Sequence, residues 1–147
     1  MALIDDVGGG PVGLDTVVFI YFIEEHERFL PAVAPLFVAA DAGKLELVAS
    51  ALTLFEVLVV PYRAGNIDLA ERYETLLTRS RGIRMVDLSR GYLRLAAQIR
   101  AATGAATPDA LQLAASLGTR CSTFVTNDRH MPAVPGLQII QLGAYVV

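Results

Sequence analysis

The sequence predicts an α/β fold, a three-layer α/β/α sandwich around a mainly parallel central sheet. Three observations predict it. Short apolar stretches at residues 11–15, 45–49, 83–86, 123–126 and 137–142 alternate with segments of helical period, which implies crossover connections between parallel strands. Glycine, proline and asparagine punctuate the boundaries between them. The 147 residues are 54% apolar and 18% charged, which fits one domain with a sizeable core and excludes a disordered chain.

Each element has a local reason. Gly8-Gly9-Gly10-Pro11 reads as the end of a flexible lead-in over residues 1–10, followed by a single domain over 11–147. Residues 11–15 (PVGLD) form a first strand. The apolar run 17–23 stays open between two forms. Its β-branched and aromatic residues suit a buried strand and equally suit the first turns of a fully buried helix. Residues 27–42 have helical spacing and end at Gly43, a C-cap residue. Residues 45–49 form a strand. Residues 54–64 form a helix closed by Gly65-Asn66, with Pro61 kinking it or sitting near its end. A more polar helix spans 67–80, and a strand spans 83–86. Residues 88–102 form a helix ended by Gly104. Thr107-Pro108 opens the next helix, which runs to Gly118. Residues 123–126 and 137–142 supply the last strands.

Composition narrows the function classes. The longest apolar run without proline or charge, 17–23, falls far short of the roughly 18–20 residues that span a bilayer, so no membrane partner is expected. The first ten residues carry two aspartates and no basic residue, unlike a secretory signal or transit peptide. Cys121 is the only cysteine, which points to a reducing, cytoplasmic location. The net charge of −3 argues by itself against a nucleic-acid partner. The charge is uneven, however. Residues 1–80 hold 12 of the 15 acids, whereas residues 81–147 hold seven arginines and three acids. Arginine forks suit phosphate oxygens. Arg81, Arg84, Arg90, Arg94, Arg100 and Arg129 are candidates for holding phosphate groups.

In an open parallel sheet, ligands bind beyond the carboxyl ends of the strands. Four acids fall there. Asp15 ends the first strand, Glu56 lies in the first turn of the helix after the second, Asp109 lies in the first turn of the Thr107-Pro108 helix, and Asp128 follows strand 123–126. Each also has a structural role open to it. Thr53-x-x-Glu56 matches a capping box, Thr107-Pro108-Asp109 a helix start, Asn127-Asp128 a turn, and Asp15 a cap on the next helix. Four like charges on one crevice repel, and a divalent cation removes the conflict. All-oxygen ligation suits Mg²⁺ or Mn²⁺ rather than zinc. Without these four, 11 acids stand against 12 bases, so the acidic average is largely the site itself and does not exclude an RNA substrate.

Other chemistries fit less well. His26 and His130 lack paired spacing and read as surface residues, although His130 lies two residues from Asp128. Cys121 reads as a small core residue. The glycines at 8–10 precede the first strand, so they make no dinucleotide fingerprint, and there is no GK[ST] phosphate loop. Val17 stands where a haloacid-dehalogenase-like site, by analogy, has a second aspartate. The single lysine, Lys44, is too early for a receiver-like site.

Four segments in order carry a family resemblance. They are Leu14-Asp15-Thr16 before an apolar run, Ala51-Leu52-Thr53-Leu54-Phe55-Glu56-Val57-Leu58, Thr107-Pro108-Asp109-Ala110-Leu111-Gln112-Leu113-Ala114, and Phe124-Val125-Thr126-Asn127-Asp128. Together they resemble the PIN domain, most closely the VapC-type toxins of prokaryotic toxin–antitoxin pairs, over about residues 12–142. The resemblance implies a metal-dependent ribonuclease on an α/β/α fold, with a helix after Asp15. It implies that Asp15, Glu56, Asp109 and Asp128 are catalytic and hold Mg²⁺ or Mn²⁺, with the Thr126 hydroxyl in support. It also implies RNA cleavage to 5′-phosphate and 3′-hydroxyl ends, and a homodimer or toxin–antitoxin hetero-oligomer. The implied VapB-like antitoxin lays its C-terminal segment in an apolar groove and blocks the active edge. Position 17, often polar in the family, is Val17 here. The competing classes are a PIN-like nuclease of RNA processing or DNA metabolism without a toxin role, and a non-catalytic interaction protein on the same fold.

Overall fold

The computed structural model describes residues 2–146. Five short strands, β1 (Val12–Leu14), β2 (Leu47–Ser50), β3 (Ile83–Val86), β4 (Thr123–Thr126) and β5 (Gln138–Gln141), pair in the order β3-β2-β1-β4-β5. Every neighbouring pair is parallel, so the expected mainly parallel sheet is wholly parallel among the described residues. The helices are α1 (Leu3–Asp6), α2 (Thr16–Ile23), α3 (Leu30–Asp41), α4 (Ala51–Arg63), α5 (Ile67–Arg79), α6 (Arg90–Thr103) and α7 (Thr107–Gly118). A 3₁₀ turn, Leu142–Tyr145, follows β5.

Period-two alternation splits each strand between two cores. Val12, Leu14, Leu47, Ala49, Val125 and Ile140 face one cluster with Val18, Phe19, Leu36 and Tyr73 of α2, α3 and α5. Val48, Val86 and Phe124 face the other with Ala96, Ile99, Leu113 and Ala114 of α6 and α7. Burial on both faces is why β1, β2 and β4 show no polar-apolar alternation, whereas the edge strands β3 and β5 carry exposed Arg84 and Gln138. Each fully buried Leu or Phe contributes roughly 1.5–3 kcal/mol.

Sequence expectation and structure differ at several boundaries. Residues 1–10 are not merely a lead-in. Leu3 and Val7 are buried in the first core, and the Tyr145 hydroxyl donates to Asp6 Oδ2 at 2.6 Å, tying the start of the chain to its end. The open run 17–23 is helical, because Asp15 caps a helix that buries Val18 and Phe19. The helix expected over 27–42 begins only at Leu30. Before it comes a tight turn in which Glu25 takes φ +51° and His26 Nδ1 accepts the backbone N–H of Arg28 and Phe29 at 3.2 and 3.3 Å. The helix expected over 54–64 begins at Ala51, directly off β2, and carries Pro61 inside its last turn. Tyr73 donates to the Glu24 carboxylate and Arg72 Nη2 to the Ile23 carbonyl at 3.2 Å, fastening α5 to the end of α2.

Gly82 sets how closely α3 approaches the start of β3. It has φ +80°, and a Cβ there would lie 2.4 Å from the Ala40 carbonyl oxygen. Gly65 also has a positive φ, +69°, but nothing lies within 4 Å of its would-be Cβ. Gly82→Ala therefore combines left-handed strain with a backbone clash and is expected to cost about 2–4 kcal/mol in urea unfolding. Gly65→Ala carries the strain alone and is expected to cost about 1–2 kcal/mol.

Candidate active site

The strand order brings the site together. The chain runs outward from β1 to β2 to β3, then returns to lay β4 on the other side of β1. The carboxyl ends of β1, β2 and β4 thus adjoin at a reversal of strand order, the usual place for a crevice in such sheets. Asp15 leaves β1, α4 with Glu56 leaves β2, and Asp128 follows β4 by two residues. Asp109 enters from the first turn of α7, which packs on β1 and β2.

Asp15 is held from three directions. Its backbone N–H donates to the Val125 carbonyl at 2.9 Å. Its Oδ1 accepts the Thr16 N–H at 2.8 Å, so it does cap α2. Its Oδ2 accepts the Thr126 hydroxyl at 2.6 Å. Thr126 is fully buried and in turn accepts the Asp128 N–H at 3.0 Å, so one hydroxyl links two of the acids. The apolar Val17 thus leaves Asp15 well supported, because its polar partner comes from β4. Asp128 Oδ1 accepts the His130 N–H at 2.9 Å, an Asx turn that fixes the loop after β4.

Glu56 is not part of a capping box. Ser50 caps α4, its hydroxyl accepting the Leu52 N–H at 3.1 Å, and Glu56 lies in the second turn. Its Oε1 accepts the Thr16 hydroxyl at 2.7 Å. Gln112 Nε2 donates to Thr16 Oγ1 and Thr53 Oγ1 at 2.9 and 3.0 Å, and the two threonine hydroxyls lie 2.9 Å apart. This buried network joins α2, α4 and α7 beneath the carboxylates. Sequence reasoning missed Thr16, Thr53 and Gln112 as supporting groups. The signal was there: each is a lone polar residue in an apolar run, and a buried polar group has to be hydrogen-bonded. The α7 start also differs slightly, with Ala106 rather than Thr107 as its N-cap residue.

All four carboxylates are half-buried. Burial raises the Asp15 carboxyl above its ordinary value, the Thr126 and Thr16 hydrogen bonds oppose that rise, and the charges of Glu56 and Asp128 add to it. Asp109 is raised by burial and then by Asp128, Asp15 and Glu56, with no hydrogen bond among the described residues to offset them. The four acids therefore act on one another electrostatically, and every donor among them is an oxygen, the chemistry a hard divalent cation prefers. Among the described residues, no group of three or more His, Cys, Asp or Glu is arranged closely enough to hold a metal ion as it stands.

The arginines separate. Arg129 lines a cleft with Asp128. Arg100 Nη1 donates to the Ala105 carbonyl at 2.6 Å and closes α6. Arg81 lies at the opposite, amino end of the strands beside Lys44. Arg84 is on β3, and Arg90 and Arg94 are exposed on α6. His26 holds a turn, and Cys121 is a buried thiol pushed up by burial.

A carboxyl raised in the folded state binds its proton more tightly there than in the unfolded chain. Stability then falls as pH rises from the ordinary value of 3.8 through the folded value, and the loss is complete at neutral pH. In metal-free buffer Asp109→Asn is expected to raise the thermal midpoint at neutral pH, with the gain fading below pH 3.8. Thermal unfolding followed by circular dichroism across pH checks both signs.

Comparison with solved structures returns the same fold. VapBC2 from Rickettsia felis bound to a promoter DNA fragment is similar with a TM-score of 0.69 and 16% identity, covering 89% of this chain and 98% of that one. A toxin–antitoxin complex from Klebsiella pneumoniae gives 0.64 and 19%, covering 87% and 94%. DNA-bound VapBC from Salmonella typhimurium gives 0.62 and 21%, covering 90% and 98%. Comparison with curated protein sequences gave no match. No helix among the described residues is long and apolar enough to cross a membrane. The PIN domain model matches residues 12–137, from the first residue of β1 to the approach to β5 and across all four acids, and the chain belongs to the PIN domain family.

Proposed function

We propose that this protein is a metal-dependent endoribonuclease and the toxin of a toxin–antitoxin pair. The observation that carries the reading is the placement of Asp15, Glu56, Asp109 and Asp128 at one carboxyl edge of the sheet, where Asp15 and Asp109 are raised by burial and by the charges of the neighbouring acids. A non-catalytic protein gains nothing from that arrangement, which costs stability. These four residues would hold Mg²⁺ or Mn²⁺, and such an ion supplies activation of water near neutral pH and neutralisation of charge on the scissile phosphate. The chain's own groups do the positioning. Thr126 orients Asp15, Thr16 directs Glu56, and Gln112 locks Thr16 and Thr53 so that neither carboxylate turns away. The first turn of α7 aims backbone N–H groups and its dipole at the same edge, which favours an anionic substrate.

The partner reading rests on the neighbours, which are toxin–antitoxin complexes. A VapB-like antitoxin is the proposed partner, with homodimerisation of the toxin. Phe55, Val60 and Tyr62 on α4 are more than half exposed, beside Glu56 on the same helix. An antitoxin segment lying along α4 would reach the active edge.

Asp15→Asn or Asp109→Asn is expected to reduce Mn²⁺-stimulated RNA cleavage by at least about 100-fold while circular dichroism stays unchanged, and chelation acts in the same direction. Full activity in either variant overturns the assignment. Thr126→Val removes the bond to Asp15 and is expected to cost about 10–100-fold. Expression should arrest growth, and co-expression of a small cognate partner should relieve it. Cleavage without growth arrest would point to a nuclease outside any toxin role.

A further inference from the structure

The carboxylates do not account for a second feature of the same edge, a cleft of about 500 Å³ lined by Arg28, Phe29, Asn127, Asp128, Arg129 and His130. Its size falls in the range of ligand sites. Asp128 belongs both to this cleft and to the acidic edge. One wall is the turn before α3, the facing wall is the loop after β4, and Gly143 and Val146 complete the lining.

The two walls are braced against each other. Arg28 lies with its guanidinium carbon 5.8 Å from the Phe29 ring centroid, and the Phe29 ring is buried and stacks on Tyr21 at 4.5 Å. The Tyr21 hydroxyl accepts the Asn127 side-chain N–H at 3.0 Å. A continuous chain, Arg28–Phe29–Tyr21–Asn127, therefore runs from one wall to the other. Each wall is also fixed locally. His26 Nδ1 accepts the Arg28 and Phe29 N–H groups, and Asp128 Oδ1 accepts the His130 N–H. The Gln141 side-chain N–H donates to the Asp128 carbonyl at 2.9 Å. This bracing sets Arg28 and Arg129, both exposed, on the walls of one preorganised cleft.

We propose that this cleft seats the single-stranded RNA backbone beside the cut, with Arg28 and Arg129 holding phosphates next to the scissile one. The proposal rests on the nuclease reading and adds to it the residues that position the substrate. The charge logic is direct. An edge of four carboxylates repels every phosphate except one neutralised by the metal, so flanking phosphates need cations of their own. Guanidinium forks match phosphate oxygens, and a phosphate contact fixes the register of the strand. Arg28 comes from the acidic half of the chain and was not among the arginines suggested by sequence. The other candidates stand elsewhere: Arg100 closes a helix and Arg81 lies at the opposite end of the strands.

The test uses the full-length protein with Mn²⁺ and a single-stranded RNA that the wild type cleaves. Arg28→Gln and Arg129→Gln are each expected to raise KM about tenfold with kcat changed far less. Each should lower the slope of log affinity against log salt by about 0.7, the value for one phosphate contact on a single strand. The lysine variants should recover the slope and only part of the affinity. Arg79→Gln, in the last turn of α5, should leave KM and slope at wild-type values. Unchanged KM and slope in both glutamine variants overturn the proposal. So does a loss of affinity for an acidic peptide with RNA affinity intact, which would make the cleft a protein-docking site. Failure of the nuclease reading is distinguishable. In that case the wild type cleaves no RNA and Asp15→Asn changes nothing, whatever the arginine variants do to RNA binding.

Discussion

Asp15 is where three demands on the chain meet. Its backbone continues the hydrogen bonding of the central strand to Val125, its Oδ1 starts α2, and its Oδ2 takes the Thr126 hydroxyl. A side chain that is at once sheet terminus, helix cap and candidate ligand cannot move without disturbing β1, β4 and α2 together. The geometry of the edge follows from this. β1 is central in the sheet, so whatever leaves its carboxyl end is flanked by what leaves β2 and β4.

Beneath the acids lies a fully satisfied polar network. Thr16, Thr53 and Gln112 are almost completely buried, and no buried side-chain nitrogen or oxygen among the described residues lacks a partner. Such a network rigidifies because each member left alone would incur the desolvation cost of an unpaired polar group. Here it fixes α2, α4 and α7 relative to one another, and through Thr16 it directs Glu56. Asp109 above it is in the opposite condition. Asp109 has burial and three like charges against it. A rigid, satisfied base under a destabilised acidic edge is the arrangement expected where a fold gives up stability for a functional site.

Much of this was legible in the sequence, and the reasons are specific. The strands at 83–86 and 123–126 were read to the residue: TFVT is a short run buried on both faces, and IRMV, although Arg84 in it is exposed, is set off by Gly82 before it. The four acids were legible as a set because each falls just after a strand or at a helix start. The start of α4 was misplaced because Thr53-x-x-Glu56 matches a capping box, and only the direct exit from β2 shows that Ser50 is the cap. The run 17–23 was ambiguous because an all-apolar segment carries no period. The first residues looked like a lead-in because three glycines separate Leu3 and Val7 from the sheet, yet both are core residues.

The sequence by itself determined the fold class, the alternation of strand and helix, the four acids and the resemblance that names the family, because these depend on local pattern and residue chemistry. Tertiary structure alone decided the rest. It paired Thr126 with Asp15 across 111 residues and Gln112 with Thr16 across 96. It removed Glu56 from a cap and gave it to Thr16. It set Arg28 and Arg129 on one cleft while sending Arg100 to a helix end. Contacts of that kind depend on which strands lie side by side, and β4 lies beside β1 only because the chain crosses back over the sheet, an arrangement that no local window of the sequence contains.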